Sequence, residues 1–291
     1  MNNSITKKNK FKNISKLLIA ILYGYFIVYN LNLDLANDSG DIGQLIRNIK
    51  VKISDANLKY EYLFYYLINL IITYTIVDYN NIFQLIAFIT SATLFYAFIS
   101  HVKSENYSHY SFLLILIVFC TPRVFDLFAS GVRSGIAFSI LFFGLTYLKG
   151  ISKIIAFIIS VALHLSMLPI IGLYYLFIYL KRIRLNLSNS IYLIILFFYG
   201  LCGIFLSEQF YSITAVAQSL FYQVLILILA SLFILLGKEA VKNIYVFISI
   251  GIIFIVLIGF IFDVSFIRYV GNSILLYLFF LIEKNNKREI K

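Results

Sequence analysis

Two ionisable side chains stand in stretches that otherwise read as membrane-spanning. Arg133 lies within FDLFASGVRSGIAFSILFFGLTYL, and His164 within IIAFIISVALHLSMLPIIGLYYLFIYL. A charge at bilayer depth costs several kcal/mol unless it is paired or reaches water. A guanidinium is permanently charged and grips phosphate oxygens with a planar, two-pronged fork. An imidazole changes charge near neutral pH, and serves either as a base or as a phosphate ligand. The two residue types suit chemistry on a phosphate-bearing group at a membrane surface. Each also has a plainer role open to it. Arg133 is seven residues after Asp126, two turns of one helix, so the pair could share a face. His164 could simply hydrogen-bond backbone at a helix turn.

Other polar positions could line the same vestibule. Arg268 opens the last apolar run in FDVSFIRYVGNSILLYL, where a snorkelling interfacial arginine is the plainer reading. Arg123 and Asp126 lie in TPRVFDLFASG, Asp38 and Asp41 in NDSGDIGQL, and Glu61 begins a span. His101 and His109 fall in a polar loop and read as solvated. Most of the 23 tyrosines read as interfacial anchors, with a few able to stack on sugar rings. The chain lacks HExxH, a P-loop, GxSxG and an acidic pair on a soluble domain. That argues against a hydrolase, an ATP-driven pump and metal-dependent chemistry; no cofactor is expected.

These residues are carried by a chain of 291 residues, 62% hydrophobic and 13% charged. No soluble domain of this size could hide so much apolar surface. The expected class is all-α: a polytopic transmembrane helical bundle of about ten spans, forming a single integral membrane domain. The spans read as 17–33, 61–77, 82–100, 130–148, 151–165, 167–180, 190–206, 216–236, 243–262 and 266–282. The run 110–121 is short and reads as re-entrant. The stretch from Ile151 to Leu180 is too long for one crossing. His164, Ser166 and Pro169 mark its middle, and proline disfavours helix in the residue before it, so a tight hairpin with His164 at its turn is expected. Cys120 and Cys202 lack partners at motif spacing and read as small core residues.

The net charge of +11 comes from lysine and arginine clusters at the ends of apolar runs. This is the positive-inside pattern, and it gives no reason to expect a nucleic-acid partner. It places the basic 1–16 tail, 149–153, 181–189, 237–242 and the 283–291 tail in the cytoplasm. The 34–60 loop, Arg133, His164, and the segment with Asp263 and Arg268 then fall outside.

The order of these elements resembles the EpsG/Wzy-like polysaccharide polymerases. An outer acidic segment follows span one (NDSGDIGQL, Asp38 and Asp41). A glutamate-led span with an aromatic comes next (EYLF, Glu61 to Phe64). An arginine followed by small residues opens a helix (GVRSGIAFSILFFGLTYL, Arg133, Ala137) that ends in a basic turn (LKGISK). A short span ends in histidine with serine two residues on (VALHLSMLPI, His164, Ser166), and an Arg-Tyr pair follows in the last third (IRYV, Arg268, Tyr269). The chain departs from the family at Arg133-Ser134, where an Arg-Gln pair is usual. After the acidic loop residue it has Ile42, Gln44 and Leu45, where a tyrosine is often found.

The resemblance implies a metal-independent membrane glycosyltransferase that joins repeat units of capsule, exopolysaccharide or O-antigen. Its site would be on the outer face of the bacterial cytoplasmic membrane. The implied substrates are oligosaccharides on polyprenyl diphosphate, presented within the bilayer, with room for a chain-length regulator as a further partner. Arg133 and Arg268 would offset charge on the leaving diphosphate. His164 would act as base or phosphate ligand, with Asp38 or Asp41 as the alternative base. Arg123, Asp126, Glu61 and Tyr269 would contact substrate. Two rival functions fit the same composition. A membrane O-acyltransferase of cell-surface polysaccharide would need a second polar partner beside its histidine. A polysaccharide flippase or transporter would need the charged vestibule but no catalysis. Neighbouring glycosyltransferase genes and a separate flippase gene would favour the polymerase.

Overall fold

The computed structural model describes residues 2–30, 64, 71, 74, 79–102, 108–129, 132–183, 187–210, 234–235, 240–261 and 269–288. Among them the chain is all-helical. In order the helices are α1 (Asn2–Tyr29), α2 (Tyr79–His101), α3 (Ser108–Phe119), α4 (Pro122–Ala129), α5 (Val132–Thr146), α6 (Gly150–Leu163), α7 (Met167–Arg182), α8 (Asn189–Phe210), α9 (Ile244–Ile261) and α10 (Tyr269–Arg288). Two compact units divide the chain near residue 167. Helix α1 begins at Asn2, and α10 continues to Arg288, so the basic segments at the two ends are largely helical.

Apolar helices recur, but few are long. Among the described residues, one stretch, Asn81–His101, has the length and composition to cross a bilayer alone. The expected spans 130–148 and 151–165 are helices of 15 and 14 residues. Their outward faces are apolar. On α6, Ile151, Ile154, Ile155, Ile158 and Ile159 are exposed, while Ala156, Phe157, Ser160 and Leu163 are buried. On α8, Ile191, Ile194, Phe197 and Phe198 are exposed. Faces like these need a lipid or protein cover, and they are compatible with a membrane protein.

In the first unit, α1 and α2 run antiparallel. Lys16 Nζ donates to the Val102 carbonyl at 3.3 Å, and Tyr23 stacks on Phe95 with ring centroids 4.6 Å apart. Near the other end, a Cβ on Gly24 would meet Phe88 and Ala92. This corrects the expected order, in which one span between them would make α1 and α2 parallel. Most of that span, 61–77, lies outside the described residues. Helix α5 runs parallel to α2, since Phe98 and Phe142, both near the ends of their helices, stack at 5.1 Å. The α5–α6 turn, with Lys149 and Lys153, therefore shares an end with Lys16 and Val102.

The segment expected as re-entrant is the first half of a bent helix pair. Val102 lies at the lysine end, and Val132, the start of α5, lies at the other. Helices α3 and α4 carry the chain between these ends as a pair bent by 66°. The bend persists because its carbonyls are satisfied. Tyr23 Oη donates to Phe119 O at 2.8 Å, and Thr121 Oγ1 donates to Val118 O at 2.7 Å. The Phe119 ring meets Tyr23, Phe95, Phe98 and Phe128.

The helix break at residue 164 forms as the sequence predicts, for a partly different reason. His164 caps α6 in an extended conformation (φ −155°, ψ 115°), and α7 starts at Met167. Pro169 is the third residue of α7, where a missing N–H costs nothing because the first four have no intrahelical partner. Leu168 before it is helical, so the break falls earlier, at His164 to Ser166.

In the second unit, α9 and α10 are antiparallel. Ser249 Oγ donates to Ser273 O at 2.5 Å, and Ser273 Oγ returns a bond to Ser249 O at 3.0 Å. Small residues allow the close approaches. A Cβ on Gly251 would strike Leu173, one on Gly200 would strike Ile258, and one on Gly172 would strike the Tyr199 hydroxyl.

Candidate functional site

The site is built on the α5–α6 hairpin. On α5, Arg133, Ala137, Ile140 and Gly144 recur at four- and three-residue spacing and form one stripe. Gly144 fixes which way the stripe faces: a Cβ there would lie 3.1 Å from Ala156 Cβ and 3.2 Å from the Phe157 ring. On α6, Phe157 and Ser160 follow the same periodicity, and His164 caps the helix just beyond them with extended backbone. Counting from the Gly144 contact at 1.5 Å per residue, Arg133 stands about 16 Å up α5 and His164 about 11 Å up α6. The His164 backbone is thus about one turn deeper than that of Arg133. Burial agrees, since His164 is 8% exposed and Arg133 is half-buried.

Helix α4 crosses the opposite face of α5 at the same end. Gly135 makes this possible, because a Cβ there would lie 2.5 Å from the Leu127 carbonyl oxygen. The rings of Phe26 and Phe125 meet at 5.9 Å, which ties the end of α1 to the same region. Arg123 and Asp126 stand on α4, with Arg123 Nη1 3.7 Å from Asp126 Oδ2. The idea that Asp126 and Arg133 lie two turns apart on one helix is therefore corrected: they belong to α4 and α5, and Asp126 pairs with Arg123.

The first unit thus brings together four of the residues singled out from sequence: Arg123, Asp126, Arg133 and His164. Tyr269 belongs to the second unit, where it is buried at the start of α10. Asp38, Asp41, Glu61 and Arg268 lie outside the described residues. Cys120 and Cys202 are exposed and free, not core residues; Cys120 follows directly on α3, at the bend. Among the described residues, no group of three or more His, Cys, Asp or Glu is placed to hold a metal ion.

Sequence reasoning missed Ser160. It is fully buried, one turn before His164 on the Phe157 stripe, and its Oγ has no hydrogen-bond partner among the described residues. Its only sequence signal is its spacing of four from the histidine. Ser139 and Asn272 also bury oxygens without partners among the described residues, Ser139 on α5 and Asn272 on α10.

The arrangement can do two things. Two guanidinium groups and the start of α5 at one end favour an anion. A buried imidazole below them offers a site for a proton or a further hydrogen bond. A comparison with family models, with curated proteins and with solved structures finds no match to this chain.

Proposed function

We propose that this chain is a polytopic protein of the bacterial cytoplasmic membrane that polymerises lipid-linked oligosaccharide repeat units on its outer face. The observation that carries the reading is the placement of Arg133 and His164 on one antiparallel helix pair, at the end of the first unit opposite Lys16, Lys149 and Lys153. With those lysines in the cytoplasm, the guanidinium and imidazole face outward. Helices of 15 and 14 residues reach only about 21–22 Å, while the hydrocarbon core is about 30 Å thick. The start of α5 with Arg133 would then lie about 8 Å below the outer boundary, and His164 about one turn deeper, at the floor of a recess. A polyprenyl diphosphate keeps its tail in lipid and its head group near the surface, so it could reach down to such a floor.

The reaction balances without a metal or a cofactor. The acceptor sugar hydroxyl attacks the anomeric carbon of the donor glycan. A new carbon–oxygen bond forms, and the bond from that carbon to the phosphate oxygen breaks. The lipid diphosphate leaves with the electron pair. Arg133 offsets the charge that develops on it, which is where fixed cations lower a barrier most. Arg123 and Arg268 are candidates to assist. His164 takes the hydroxyl proton or binds phosphate. Tyr269, Glu61, Asp38 and Asp41 are assigned to substrate contact, with the two aspartates as alternative bases.

The test is a polymer-length gel from a deletion strain carrying Arg133→Ala or His164→Ala. Single repeat units accumulating on lipid in the outer leaflet would support polymerisation over flipping. Wild-type chain lengths in both variants would sink the assignment.

A further inference from the structure

The bend between α3 and α4 leaves backbone groups that must be answered from elsewhere. In an unbroken helix the Phe119 carbonyl would accept the N–H four residues on, that of Arg123. Here the two helices meet at 66°, and the Tyr23 hydroxyl of α1 donates to that carbonyl at 2.8 Å in a buried bond. The Tyr23 ring stacks on Phe95 at 4.6 Å and meets the Phe119 ring edge-on at 5.5 Å. Pro122 opens α4 and has no N–H to give. The Val118 carbonyl, four residues before it, takes the Thr121 N–H at 3.0 Å and the Thr121 hydroxyl at 2.7 Å instead. Val118 O is thus satisfied within the turn, and Phe119 O from a residue 96 positions earlier.

What α4 carries gives that distant bond a use. One turn after Arg123, the Leu127 carbonyl lies against Gly135 of α5, where a Cβ would be 2.5 Å away. Phe125 between them meets Phe26 of α1 at 5.9 Å. Arg123 and Asp126 therefore stand between two fixed points, Phe119 at the bend and Leu127 at the crossing, and are paired at 3.7 Å. A carbonyl left without a partner at membrane depth is strongly disfavoured. Without the Tyr23 hydroxyl, Phe119 O is drawn back towards the Arg123 N–H, and α4 towards the line of α3. A rotation that took back most of the 66° would move Asp126, five residues past Thr121, by about 5–8 Å.

We propose that Tyr23 is a positioning residue for Arg123. Its hydroxyl holds the α3–α4 bend, and the bend holds the guanidinium at the Arg133 end of the first unit, where it serves a diphosphate. Tyr23 touches no substrate, and its effect passes through one carbonyl. The diphosphate as ligand rests on the reading of that end as the site of a polymerase. The hold on the bend does not.

The experiment uses full-length protein in lipid nanodiscs. Spin labels at Asp126→Cys on α4 and Tyr147→Cys just past α5, with Cys120 and Cys202 replaced by serine, give the distance between them by pulsed EPR. Binding of inorganic diphosphate is measured by calorimetry on protein without labels. Tyr23→Phe, which loses only the hydroxyl, is expected to shift the distance by about 5–8 Å and to weaken diphosphate about tenfold. In an Arg123→Ala background it should shift the distance again but leave the already weakened binding unchanged. Pro122→Ala, which restores the missing N–H, should keep the wild-type distance because the Tyr23 bond remains; this variant decides the matter if Tyr23→Phe does not fold. A wild-type distance or wild-type binding in folded Tyr23→Phe overturns the proposal, even if that variant melts earlier. A straightened pair in Pro122→Ala, or a further loss of binding in the Arg123→Ala background, overturns it too. The expected shift and weaker diphosphate binding in a protein that joins no repeat units would support the role of Tyr23 while overturning the polymerase reading.

Discussion

Arg133 and His164, about thirty residues apart in sequence, stand at the same end of one antiparallel helix pair, with the His164 backbone about one turn, or 5 Å, deeper than that of Arg133. The relationship follows from small residues. Gly144 against Ala156 sets the register of the pair, and the break at His164 ends α6 about one turn short of the level where α5 begins.

The bent passage of α3 and α4 makes a topological prediction. In a protein with Cys120 and Cys202 replaced by serine, Tyr110→Cys should react with an impermeant thiol reagent from the cytoplasmic side. Asp126→Cys should react from the outer side. Labelling of both from the outer side would restore the re-entrant reading.

Gly135 and Gly150 should respond differently to alanine. At Gly135 a methyl group would press on the Leu127 carbonyl, a backbone atom that cannot swing away. We expect Gly135→Ala to cost about 1–3 kcal/mol and to displace α4. Gly150 has a positive φ of 57°, and no atom lies within 4 Å of where a Cβ would stand, so Gly150→Ala should cost only about 1 kcal/mol of backbone strain. Thermal unfolding in detergent, read by the temperature at which each variant aggregates, would rank them. Equal losses would argue against the close α4–α5 approach.

Asp126 competes with any anion for Arg123. Their 3.7 Å pair is partly exposed and contributes about 0–1 kcal/mol. Asp126→Asn should therefore tighten binding of inorganic diphosphate by about twofold to fivefold, measured by calorimetry at low salt. The sign carries the argument: weaker binding would mean that Asp126 holds Arg123 in its working position.

How much is legible in the sequence varies with how local each cause is. The break at residue 164 can be read because a polar histidine and a serine interrupt an apolar run too long for one helix. The helical class follows from composition. The antiparallel pairing of α1 with α2 cannot be read, since nothing near Lys16 announces that the Val102 carbonyl will accept its hydrogen bond. The bend between α3 and α4 is hidden for the same reason. The bend is supported by the Tyr23 hydroxyl, which comes from a helix about a hundred residues earlier. Counting seven residues from Asp126 to Arg133 assumes one unbroken helix, whereas the two stand on α4 and α5, and Arg123 lies 3.7 Å from the same aspartate. Ser160 escapes notice because a serine in an apolar run is ordinary until its hydroxyl proves to lack the usual carbonyl.

The central claim is that Arg133 and His164 serve one site on a lipid diphosphate. Its most direct test is the initial rate of glycan joining by purified protein in nanodiscs, given a defined lipid-linked repeat unit. Wild type, Arg133→Ala, His164→Ala and the double variant would be compared. Residues acting as one unit lose their effect together, so each single variant should fall about a hundredfold or more, and the double variant little further. Wild-type rates in both single variants would contradict the claim outright, and two losses that multiply in the double variant would separate the residues into independent roles.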